Sequence, residues 1–209
     1  GKVPAVGNTV DLKTATYTNA IGGGELMGTW SDPEFDPAQH AIFGANRNPQ
    51  LSWSDVPAAA RSLVLICYDS DVPTRADDVN QAGRTVPASL PRADFFHWTM
   101  VDIAPTVRGI AAGACADGVV ARGKQSPAGP AGARQGINDY TLWFGGDAAM
   151  GGQYFGYDGP CPPWNDELLH HYHFDLYATD LERCPVGGAC ARPQALAAIA
   201  ARVRAQARA

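Results

Sequence analysis

Apolar positions along this chain fall in short runs, with helical spacing only at the far end. The densest run, Leu63-Val64-Leu65-Ile66-Cys67, sits within residues 62–68 and is unbroken. Such a run suits a strand buried on both faces. Residues 95–103 (FFHWTMVDI) and 171–178 (HYHFDLYA) predict two further strands. Leu51-Ser52-Trp53 predicts a brief strand before Val56-Pro57, and residues 140–144 another short one. Residues 1–60 as a whole predict short extended pieces divided by turns, among them 31–37 and Asn46-Arg47-Asn48-Pro49. A polar insert, Thr74 to Arg92, separates two of the strands, and the Gly- and Ala-rich stretch 109–133 predicts loop. Helical periodicity emerges at residues 193–207, where Pro193 suits a first turn and Leu196, Ile199 and Val203 share a face. The nearby Arg202, Arg204 and Arg208 are read as a solvated face whose charge favours a helix C-terminus.

Composition agrees with β structure. Sixteen prolines and 23 glycines are many for a helical bundle and natural for strands joined by turns. With 45% hydrophobic and 18% charged residues the chain has material for a packed core, and residues 1–209 are read as one domain. A net charge of -5 argues against general nucleic-acid binding, which wants a basic face. No apolar run approaches the roughly 20 residues of a membrane helix. The first eleven residues show no signal-peptide core, so the cytoplasm is expected, with the periplasm or secretion after signal removal as the alternative. The five cysteines lack metal-type spacing. Cys184 and Cys190 flank a short loop and read equally well as a disulfide or as two thiols.

Candidate chemistry concentrates in a few places. Asp69 and Asp71 close the strongest strand, His97 stands on the next, and His170-His171-Tyr172-His173 opens the last. Alternation along a strand puts Asp69 with Asp71 on one side and His170 with Tyr172 on one side, while His171 and His173 point the other way. The histidine string therefore cannot offer all its imidazoles to one ligand. Each element also has a plain structural use: Asp69 and Asp71 organise a turn, His97 is a bonded core histidine, and Gly159-Pro160-Cys161-Pro162-Pro163 is a rigid turn.

In combination these segments resemble the phosphatidylethanolamine-binding protein family, its bacterial and archaeal Raf kinase inhibitor-like branch above all. Asp69-Ser70-Asp71-Val72-Pro73 resembles the family's DPDxP signature with Ser70 for proline, and Phe96-His97-Trp98 resembles its histidine-bearing strand. Residues 159–163 are similar to its GxxPP loop, His170-His171-Tyr172 to its HRY motif, and residues 48–53 to its NxxLxW lead-in. The resemblance runs from about Asn46 to Asp180 in the family's order. It implies a mostly β fold, an antiparallel β-sandwich with a few peripheral helices including the C-terminal one. It also implies a pocket at one end of the sheet for phosphate, phosphoethanolamine or a similar small anion. Carried over, that pocket is built by Asp69, His97, His170 and Tyr172, with Gly159, Cys161 and Pro163 from the turn. Asp71 and Pro73 are structural, and the Val72–Pro73 bond is a candidate cis bond. His97 or His170, protonated, would donate to the anion, with Tyr172 as a further donor and backbone N–H groups near Gly159 completing the cradle. Asp69 would hold a histidine's other nitrogen. His171 stands where the family has arginine, so an interaction carried by that charge is not transferred. The insert 74–92 is placed to cover or narrow the pocket, which favours a small anion over a lipid headgroup.

Other readings are weighed against this one. Gly118 to Lys124 fits GxxxxGK, yet Gln125 replaces the required hydroxyl and Pro127 blocks the following helix, so a nucleotide loop is rejected. The same Asp and His residues could serve a metal-assisted hydrolase or an acid/base isomerase, although HExxH and GxSxG are absent. The resemblance also implies a modulator of kinase signalling with a protein partner. The expectation is a binding or regulatory protein rather than an enzyme, without cofactor or metal.

Overall fold

The computed structural model describes residues 8–9, 12–14, 45–125 and 127–185. The expected C-terminal helix, residues 193–207, and Cys190 lie outside the described residues. The described chain is mostly β. Its strands are β1 (Asn8–Thr9), β2 (Leu12–Thr14), β3 (Leu51–Trp53), β4 (Ser62–Pro73), β5 (Arg92–Ile103), β6 (Gly109–Ile110), β7 (Arg134–Gln135) and β8 (Tyr172–Thr179). Five form one sheet in the order β1-β8-β4-β5-β7, and the other three form a second in the order β2-β3-β6. All named pairings are antiparallel.

The long apolar run of β4 is central, as its continuity demands. Leu63, Leu65 and Cys67 face a core shared with Leu51 and Trp53 of β3 and with Trp98 of β5, so both sheets contribute to one apolar cluster. Val64 and Ile66 face the other way, into a separate cluster with Val101 and Cys184. β6 can approach β3 because residue 109 is glycine: a Cβ there would lie 2.5 Å from the Leu51 carbonyl oxygen.

Two of the three irregularities in the β4–β5 ladder set the direction of the polar side chains. Cys67 pairs with Trp98 and Tyr68 with Phe96, so His97 is an extra residue on β5. This is the geometry of a β-bulge, which re-aims a side chain. A second shift falls between Asp69, paired with Phe95, and Val72, paired with Ala93. The β4–β8 ladder is regular and pairs Asp69 with Tyr172.

Residues 140–144 depart from expectation. Tyr140–Trp143 forms a short helix, α1, and not a strand. The reason lies in the spacing of its rings: Tyr140 and Phe144 stack at 5.6 Å as an i,i+4 pair, and both pack on Tyr154. Leu142, which a strand would have placed beside them, is 81% exposed. The Asn138 side-chain oxygen accepts from the Tyr140 N–H and steadies the first turn.

The Val72–Pro73 bond is also corrected, since no cis peptide occurs among the described residues. Pro73 continues the extended strand opposite Arg92, and the Thr74 N–H then closes on the Pro91 carbonyl. No tight turn is required at that bond, so the trans form serves.

Candidate functional site

A cavity of about 180 Å³ opens where β4, β5 and β8 end. Asp69, His97, His170 and Tyr172 supply its polar lining, and Cys161 and Pro163 line it from the proline-rich turn. These six of the seven residues named from the sequence converge. Gly159 does not line it: its N–H donates to Asn46 Oδ1 and its carbonyl accepts from Tyr140. Asp71 is not at the cavity either. The second register shift turns its carboxylate to the opposite face, where it accepts from the His171 backbone N–H and contacts His171 Nδ1, both at 2.8 Å. Asp69 and Asp71 therefore do not act together, contrary to simple alternation. The expected separation of His170 and Tyr172 from His171 does occur.

The polar lining is a chain of opposite charges. His170 Nδ1 lies 2.6 Å from Asp69 Oδ2, and its Nε2 lies 3.2 Å from Asp166 Oδ2. Asp166 is in turn gripped by both terminal nitrogens of Arg92, at 2.5 and 3.0 Å. Burial alone would lower the His170 pKa, but the bonds and charges of Asp69 and then Asp166 outweigh it and hold the imidazole above its ordinary value. Asp69 thus fixes one nitrogen of His170 through its Oδ2. Its Oδ1 also accepts from the Asp71 N–H at 2.8 Å, the turn-forming use that is its plain structural role.

His97 behaves oppositely. Its Nδ1 lies 2.8 Å from the Asp158 carbonyl oxygen, an acceptor only, so Nδ1 carries the proton. Burial pushes its pKa down, against the upward pull of the Asp158 carbonyl and the Asp69 carboxylate. The free site therefore holds a neutral His97 at pH 7, with Nε2 as the ring nitrogen left to a ligand. Among the described residues the buried Tyr172 hydroxyl meets no group in good hydrogen-bonding geometry, and the Asp69 carboxylate is the acceptor near it. Burial, and then the Asp69 carboxylate, raise its pKa well above the ordinary phenol value, so it remains a donor.

Apart from Asn80, the rest of the wall is mainly aromatic and apolar. Phe95 meets Tyr140 and Trp143 edge-on at 5.1 and 6.5 Å, and Trp143 is 48% exposed at the rim. The insert contributes Ala76, Val79 and Asn80, so it does narrow the cavity. Asn165 fastens it: its amide donates to the carbonyls of Asp78 and Arg84, and its side-chain oxygen accepts from the Asn80 N–H. Burial raises the Cys161 thiol to about 11, which leaves it a packed thiol at neutral pH.

Sequence reasoning missed Arg92, Asp166, Asp158 and Asn46. Asp158 is 2% exposed, and its carboxylate accepts from Asn46, Asn138 and Lys124 at 2.7–2.8 Å. Lys124, the lysine of the GxxxxGK string, is thereby turned inward, which removes the phosphate-loop reading physically. Among the described residues no set of three or more His, Cys, Asp or Glu is arranged to hold a metal ion. No helix there is long and apolar enough to cross a membrane.

A narrow, aromatic-walled cavity over buried ionisable groups on a mostly β scaffold is the kind of place where small-molecule sites are commonly found. Comparison with known proteins gives the family. The family model described as phosphatidylethanolamine-binding protein matches residues 10–209. UPF0098 protein YbcL of Escherichia coli is 33% identical over 143 residues, 68% of this chain and 58% of YbcL, so less than two thirds of that relative is spanned. A UPF0098 protein of Methanothermobacter thermautotrophicus is 31% identical over 144 residues, 69% of this chain and 68% of its own. The crystal structure of E. coli YbcL, described as a new member of the mammalian PEBP family, superposes with a TM-score of 0.54 at 24% identity. It covers 94% of this chain and 90% of that one, and supports the fold. This chain belongs to the phosphatidylethanolamine-binding protein family.

Proposed function

We propose that the cavity binds a small oxyanion, such as phosphate or the phosphate of a headgroup, and that the protein acts as a binding or regulatory protein through it. The observation that carries the reading is the buried Tyr172 hydroxyl, which meets no described group in good hydrogen-bonding geometry and whose ring lies edge-on to the His97 ring at 5.4 Å in the same cavity. A buried donor without a partner costs roughly 1–3 kcal/mol, and an anionic oxygen removes that cost.

The electrostatics refine the role of each residue. His170 spends both nitrogens on carboxylates, so it serves as a counter-charge that holds Asp69 in place. His97 and Tyr172 are left as the ligand's donors. Because the free His97 is neutral, an anion on Nε2 arrives with a proton, and the imidazolium forms as the anion binds. The aromatic wall suits a short apolar remainder on the ligand.

Calorimetric titration with phosphate and with phosphoethanolamine tests this. Saturable binding is expected, and His97→Ala should weaken it by about 1.5–3 kcal/mol, the worth of a hydrogen bond to a charged group. Equal affinity in the variant would remove His97 from the site. Absence of binding by the intact protein would overturn the anion reading.

A further inference from the structure

On the face of the sheet turned away from the cavity, His171 and His173 stand two residues apart and both are exposed. Ser70 N–H donates to the His171 carbonyl at 3.3 Å and Tyr68 pairs with His173, so the strand geometry extends through both. Residues i and i+2 of a strand project from the same face, roughly 6.6 Å apart at the backbone. Neither imidazole is loose. His171, 72% exposed at its side chain, has Nδ1 fixed 2.8 Å from the Asp71 carboxylate, leaving Nε2 outward. His173 stacks on Tyr68 at 4.8 Å with an interplanar angle of 20°. Its Nε2 lies 3.1 Å from Ser70 Oγ, and that hydroxyl is 3.2 Å from the same Asp71 oxygen. Both rings are thus gathered around one hydroxyl and one carboxylate.

We propose that His171 and His173 form a surface chelate for a divalent first-row transition metal ion, with Asp71 orienting His171 from behind. A carboxylate on the distal imidazole nitrogen fixes the tautomer and raises ligand basicity, the arrangement commonly found behind metal-bound histidines. Two imidazoles make an open site, with water completing the coordination; Asp71 supports and does not ligate, in keeping with the absence of a three-residue cluster among the described residues. On binding, His173 Nε2 exchanges the Ser70 hydroxyl for the metal. Imidazole ligands favour copper, nickel and zinc, with copper(II) the tightest by the general order of divalent affinities. The register shift that removes Asp71 from the cavity is what places its carboxylate behind His171.

The test titrates copper(II) and, separately, nickel(II) into the intact protein and into His171→Ala, His173→Ala and Asp71→Asn, followed by calorimetry. One ion per chain with copper tighter than nickel is expected. Either histidine variant should lose affinity at least about tenfold, and Asp71→Asn roughly tenfold or more. Both histidine substitutions are on the surface, so unchanged melting temperatures without metal separate lost ligation from lost folding. Intact affinity in either histidine variant, or no binding by the intact protein, overturns the site. The cavity is not involved, so anion binding is unaffected by either result.

Discussion

Asp158→Ala is expected to destabilise the protein by about 3–5 kcal/mol, the cost of breaking a buried ion pair from one side. Among the described residues the carboxylate is the only anion bonded to Lys124 Nζ, whose side chain is 13% exposed and whose other hydrogen bond is to the Tyr157 carbonyl. Its loss leaves a nearly buried ammonium uncompensated and removes the acceptor of the Asn46 and Asn138 amides. Asp158→Asn keeps the shape and part of the bonding, so it should cost less. Adding Lys124→Met to Asp158→Ala should recover part of the loss, because the stranded charge goes with it. Urea denaturation of the four proteins measures all three differences. A loss below about 1 kcal/mol in Asp158→Ala would show that Lys124 escapes to solvent. The effect reaches the cavity as well, since the Asp158 backbone holds His97 Nδ1.

The second large effect belongs to Asp69. Asp69→Ala takes the shorter of two carboxylate contacts from a buried histidine and the acceptor from the Asp71 N–H. About 3–5 kcal/mol of stability is expected to go with it. Asp69→Asn offers an oxygen to one of these donors without the charge, and should fall between the two. If alanine and asparagine prove equally mild, Asp166 alone is enough to hold His170. Anion affinity should fall in both variants, because Tyr172 lies directly opposite Asp69 on β8 and its ring contacts His97 at 5.4 Å.

Much of this was legible before any coordinates. The unbroken run Leu63–Cys67 could only be a strand covered on both faces, and it is the centre of the larger sheet. Four motifs in order named the family and six of the cavity residues. Alternation separated His170 and Tyr172 from His171 and His173 correctly, because the β4–β8 ladder is regular there.

Alternation failed at Asp71 for a physical reason: a register shift cannot be read from side-chain pattern, and one falls between Asp69 and Val72. The bulge at His97 was equally invisible. The helix at Tyr140–Trp143 was missed because five residues with three aromatics satisfy either period, and only the Tyr140–Phe144 stack decides. The charges that complete the site, Arg92 and Asp166, are 74 residues apart and carry no local signature. The donor roles also shifted. His97 and His170 looked interchangeable in sequence, yet burial wins at His97 while the Asp69 and Asp166 carboxylates outweigh it at His170, so their pKa values move in opposite directions.

That contrast allows one direct test of the binding account. Sulfate keeps the same charge from about pH 5 to 8, so any pH dependence of its affinity reports the protein. The ionisable groups facing His97 are Asp69 from β4, His170 and Tyr172 from the β8 end, Tyr140 from α1, and Asp158. With His97 neutral in the free site and charged in the complex, affinity should rise as pH falls from 8, by up to about tenfold per unit. It should level off once pH drops below the lowered pKa of the free imidazole. His97→Asn should flatten the profile. A sulfate affinity independent of pH, or the same slope in His97→Asn, would contradict the proton-coupled capture of an anion at this cavity.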